Sequence, residues 1–180
     1  MLNYNTGVII MDKILQTQLI NIYNHIDAQE EEIEIAARLL SQAVHGEGNI
    51  IMKTFHDFTK LEPLLLHGEL KLGTPSPFSA IENIDTPDRI LVIANIFDDE
   101  VKTFIDELNA QHIDYVLISN YNRHESETLD NVHHYIDLSS PRELIPTPNF
   151  DKIVNPYINA FTYLYYHLYV LIDEMTNDEY

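Results

Sequence analysis

The chain has nine histidines, 29 acidic side chains and no cysteine, so its chemistry must come from imidazole, carboxylate and hydroxyl groups. A proton shuttle needs such groups beside a bound ligand, and His56, His124, Glu125 and His167 are the candidates. Their spacing singles out none of them, because nine histidines place a few near any pocket. His133 and His134 cannot both face one metal from a strand, since neighbouring side chains point to opposite faces. Neither that pair nor His124 with Glu127 resembles HExxH, so no metal site is expected and no cofactor is implied. A P-loop, a GxSxG elbow and a GxGxxG turn are also missing.

Binding is easier to place than catalysis. Polar residues follow three apolar runs: Thr54, His56 and Asp57 after NIIMKTF, Asn95 and Asp98 after RILVIAN, and Ser119 and Asn120 after YVLIS. If the runs are parallel strands, these seven residues gather beyond the carboxyl ends, where open α/β sheets take their ligands. The alternative is that they are caps and turn formers, which the same residue types also favour.

The elements that would position them follow from periodicity. Apolar residues from Leu15 to Val44 recur at helical spacing, as one long helix or two stacked ones, with Glu30, Glu31 and Glu32 at a break or on a solvated face. His45-Gly46-Glu47-Gly48 then reads as a stop, with a glycine in the left-handed conformation. After the first strand, Asp57 is a candidate cap for a helix carrying Phe58, Leu61, Leu64 and Leu65. Residues 73–87, with three prolines, read as loop. RILVIAN and YVLIS are continuous apolar runs, as in sheets covered on both faces. Between them Val101, Phe104, Ile105 and Leu108 form a helical stripe capped by Asp98 or Asp99, so the two strands are expected to be parallel neighbours. Residues 132–138 read as an edge strand, and Pro141, Pro146 and Pro148 mark a loop before a final helix ending near Glu174. That helix is apolar around most of its circumference, so one side should meet the sheet and the other a second copy.

Charge narrows the function. With 29 acidic against 10 basic residues the net charge is −19, which repels nucleic-acid phosphates and anionic lipid surfaces. Residues 1–10 lack a signal-peptide pattern and read as a loose N-terminal extension ahead of one domain over 11–180. The stretch from Tyr157 to Ile172 is short for a membrane span, which needs about 20 apolar residues, and is broken by Asn159, Thr162 and His167. A soluble, cytoplasmic homodimer without nucleic-acid or membrane partners is the expectation.

The order ARLLSQAVHGEGNIIM, DRILVIANIFDDEVKTFIDELNAQHIDYVLISN and LDNVHHYIDL, over about residues 36–138, resembles the core of the sugar isomerase (SIS) domain superfamily. The final helix and overall length are similar to a small bacterial family of unknown function that carries the name phosphoheptose isomerase. The resemblance implies a three-layer α/β/α sandwich with a flavodoxin-like parallel sheet and long terminal helices, a carbohydrate derivative as ligand, and dimers. Such domains hold a sugar phosphate in a glycine-containing first loop and a serine-rich second loop. Here those positions read Thr54-Phe55-His56-Asp57 and Ala94-Asn95-Ile96-Phe97-Asp98-Asp99. Carboxylates at the following helix N-terminus occupy its donors and repel a dianion. The reading is therefore a degenerate SIS-fold protein binding a small carbohydrate derivative, whether or not phosphorylated, at the strand ends. Its rivals are a sugar-phosphate isomerase and an interaction protein whose cleft has been lost.

Overall fold

The computed structural model describes residues 4–120, 129, 131–149 and 151–177. Five parallel strands form one sheet: β1 (Ile50–Thr54), β2 (Pro75–Pro77), β3 (Arg89–Ile93), β4 (Tyr115–Ser119) and β5 (Tyr135–Asp137). Their spatial order is β2-β1-β3-β4-β5, with Thr54 opposite Ile93 and Ile93 opposite Ile118. Strand order reverses between β1 and β3, and it is beyond the carboxyl ends at such a point that open α/β sheets bind their ligands. The sheet is flanked by helices on both faces, as expected, and the β3–β4 crossover is helical.

That crossover is α4 (Asp99–Ala110), whose Val101, Phe104, Ile105 and Leu108 cover Ile90, Val92 and Leu117. The opposite face carries α2 (Glu30–His45); α5 (Tyr157–Thr176) packs on α2, and α1 (Tyr4–Asp27) packs on α5. Alternation along the strands makes this possible: Leu91 and Ile93 point to the α2 side, Ile90, Val92 and Ala94 to the α4 side. The chain breaks between α1 and α2 at Ala28 and Gln29, and Glu30, Glu31 and Glu32 form the first turn of α2, where the helix dipole favours negative charge. Helix α1 begins at Tyr4, inside the stretch read as an extension.

Several local expectations need correction. The left-handed residue after α2 is Glu47 (φ 57°), not a glycine; Gly48 is required because a Cβ there would lie 2.5 Å from the Pro87 carbonyl oxygen. Asp57 caps no helix. Residues His56–Lys60 form a 3₁₀ turn, and a separate short helix α3 (Glu62–His67) follows with Pro63 in its first turn, where a missing N–H costs nothing. The proline-rich stretch after α3 contains β2, because a proline without an N–H is tolerated on an edge strand. The loop ahead of α5 pairs Ile145–Pro146 (β6) with Lys152–Ile153 (β7). Among the described residues no helix is long and apolar enough to cross a membrane. The main neighbours of α5 are α2 and α1, and its Phe161 meets Phe58 edge-on at 4.9 Å, anchoring the helix on the turn after β1.

Candidate functional site

The turn after β1 is shaped by two residues. Phe55 extends the ladder by one bond, its N–H donating to the Ile93 carbonyl at 2.8 Å. His56 then adopts φ +53°, a left-handed conformation that costs a side-chain-bearing residue energy. The kink carries the imidazole toward the start of α4, where Nε2 lies 2.9 Å from Asp98 Oδ2. The other oxygen of Asp98 accepts the Val101 N–H at 3.1 Å, so this carboxylate caps α4 as the sequence predicts and also holds His56.

Asp57 turns toward Lys60 and Tyr157. It accepts from Lys60 Nζ at 2.7 Å and from the Tyr157 hydroxyl at 3.0 Å. The Lys60 ammonium first, and then the Tyr157 hydroxyl, hold its carboxyl below the ordinary value of 3.8. Burial, and then Asp57, push the Tyr157 phenol up, so it stays a neutral donor at physiological pH. Asn95 stands beside both groups.

Thr54 and Asn120 are committed to the scaffold. The Thr54 hydroxyl donates to Glu62, tying β1 to α3. Asn120 donates to the Asn95 carbonyl at 2.7 Å and accepts from the Ser140 N–H at 2.7 Å and hydroxyl at 3.1 Å, which stitches the ends of β3 and β4 to the loop after β5. By contrast His56 Nδ1, Asn95 Oδ1 and Ser119 Oγ are buried and have no hydrogen-bond partner among the described residues. Each follows or ends a different one of β1, β3 and β4.

All seven predicted residues lie at or just after the ends of β1, β3 and β4: Thr54 and Asn120 as braces, Asp57 engaged by Lys60 and Tyr157, Asp98 engaged by His56 and the Val101 N–H, and His56, Asn95 and Ser119 each with an unpartnered buried atom. The structure does not bring His167 to them. Tyr157 is the residue of α5 that reaches this end, and His167 lies about 15 Å farther along the helix, 3.8 Å from Asp27. His124 and Glu125 lie outside the described residues. Tyr157, Lys60 and Glu62 were not foreseen; Tyr157 read as a core residue of α5, and its partner is 100 residues away in sequence. Among the described residues no three His, Cys, Asp or Glu side chains form a group able to hold a metal ion.

A crystal structure of a "putative phosphosugar isomerase" from Silicibacter pomeroyi is similar at 11% identity and a TM-score of 0.44, over 88% of this chain and 51% of that one. The chain thus spans about half the length of that protein. No curated protein matches the sequence. Residues 11–176 match the family described as a domain of unknown function (DUF2529), and the chain belongs to that family.

Proposed function

We propose that this protein binds a small carbohydrate derivative beyond the carboxyl ends of β1, β3 and β4. The observation that carries this reading is that the ends of three adjacent strands each carry a buried, unpartnered atom: His56 Nδ1 after β1, Asn95 Oδ1 after β3 and Ser119 Oγ at the end of β4. A buried polar group without a partner costs about 1–3 kcal/mol, and three at one sheet end call for a common cause. Sugar hydroxyls both donate and accept, so one polyhydroxy ligand serves an amide oxygen, an imidazole nitrogen and a hydroxyl together. The sequence pattern shared with SIS domains supports the same ligand class.

The electrostatics favour an uncharged sugar over its phosphate. Asp98 already occupies the N-terminus of α4, and Asp57 is held ionised nearby by Lys60 and Tyr157. Isomerase activity is the rival reading and requires an acid–base pair at the ligand; His56 is engaged by Asp98 through Nε2. A homodimer is proposed as well, supported by Ile158 and Tyr166, which stand 44% and 50% exposed on one side of α5.

A thermal-shift screen with pentoses, hexoses, heptoses and their phosphate esters tests the reading. A ligand at about 100 times its Kd should add about 2.7 kcal/mol of stability. Free sugars are expected to give larger shifts than their phosphates. A screen in which no sugar moves the transition removes the binding proposal.

A further inference from the structure

A concavity lies away from the strand ends, where the end of α1 and the start of α2 face α5. Its volume is about 640 Å³, within the range of small-molecule sites, and it is lined by Asp27, Glu30, Ile33, Glu34, Tyr163, His167, Val170 and Leu171. The floor is apolar, with Ile33 buried and Val170 51% exposed at the rim. One wall is aromatic: Tyr163 stacks on Tyr23 with centroids 4.3 Å apart, and the His167 ring lies tilted to Tyr163 at 4.6 Å. These contacts lock the wall before any ligand arrives.

Among the described residues the lining carries three carboxylates, Asp27, Glu30 and Glu34, and no lysine or arginine. The Tyr163 hydroxyl donates to both oxygens of Asp27, at 2.9 and 3.0 Å, and fixes the carboxylate's orientation. His167 Nε2 is 3.8 Å from Asp27, beyond hydrogen-bond distance, so the carboxylate keeps open acceptor positions. Arg38 pairs with Glu34, but among the described residues no lysine or arginine pairs with Asp27 or Glu30. The acidic lining repels phosphates and other anions.

We infer that the α1–α2–α5 cavity binds a small amphiphilic organic cation, its ammonium between Asp27 and Glu30 and its apolar body on Ile33, Val170 and Leu171. Nothing in this depends on the strand-end site.

The test is calorimetric titration of the full chain with three compounds of similar shape: phenethylammonium, 2-phenylethanol and 3-phenylpropionate, with backbone amide NMR to locate each. Phenethylammonium should bind about tenfold more tightly than the alcohol, with shifts at Ile33, His167 and Val170, and the acid should not bind. Asp27→Asn keeps an oxygen for the Tyr163 hydroxyl, so the helices stay docked; combined with Glu30→Gln it should abolish the preference for the cation. Equal binding of ammonium and alcohol, a preference that survives the double substitution, or no binding of phenethylammonium would each overturn the proposal.

Discussion

His56 Nε2 stands 2.9 Å from Asp98 Oδ2, and this bond joins the end of β1 to the start of α4 across the gap where strand order reverses. To make it, His56 takes a left-handed backbone conformation. His56→Ala and His56→Gly lose the same side-chain bond, but only alanine keeps a Cβ at φ +53°. The glycine variant is therefore expected to be more stable than the alanine variant by about 1 kcal/mol. Urea unfolding of the pair measures this, and equal midpoints would mean that the turn imposes no backbone constraint.

Asp98 both caps α4 and places negative charge where a phosphate would sit. Asp98→Ser keeps a capping oxygen and removes the charge, so any sugar phosphate that binds should bind about fivefold more tightly to the variant, from a dipole and charge effect of about 1 kcal/mol. Calorimetry decides it. Weaker binding would show that the carboxylate touches the ligand favourably.

These residues were partly legible beforehand, for a physical reason. RILVIAN, YVLIS and the stripe of α4 are local patterns, and their geometry follows from period and burial, so the β3–α4–β4 unit and the Asp98 cap could be read directly. Strand β2 could not, because Pro75-Ser76-Pro77 has no strand propensity and pairs only because β1 offers an open edge. The Tyr157–Asp57 bond and the Thr54–Glu62 bond depend on how α5 and α3 dock, which no local pattern encodes. Gly48 was legible as punctuation but not as the residue that lets Pro87 approach.

Tyr165 gives a prediction in alkali. Burial pushes its phenol from the ordinary 10 up to about 12. Folding favours the neutral form, so this contribution is complete below pH 10 and is lost as pH rises from 10 to about 12. Tyr165→Phe should cost about 1 kcal/mol at pH 7, through the bond to the Leu70 carbonyl, and should flatten the loss of stability across that window. Identical slopes for the two proteins would place Tyr165 in a less buried setting.

Tyr165 faces the core at 5% exposure, whereas its neighbour Tyr166 faces outward at 50%. If two copies meet along α5, Tyr166→Glu with Ile158→Glu should convert the dimer to a monomer with little loss of stability. Light scattering after gel filtration reads the result. A mass near 20.9 kDa for the unsubstituted protein would exclude the dimer, and a dimer that survives both changes lies on another face.

The most direct measurement of the strand-end site is a calorimetric titration, with the sugar that gives the largest thermal shift, of the unsubstituted protein beside Asn95→Ala and Val170→Trp. Asn95 carries one of the buried unpartnered atoms at the strand ends, and Val170 lies on the far part of α5. Asn95→Ala should weaken binding about tenfold, the loss of one good hydrogen bond, and Val170→Trp should leave it unchanged. Binding that is indifferent to Asn95 but lost with Val170→Trp would contradict a sugar site at the strand ends.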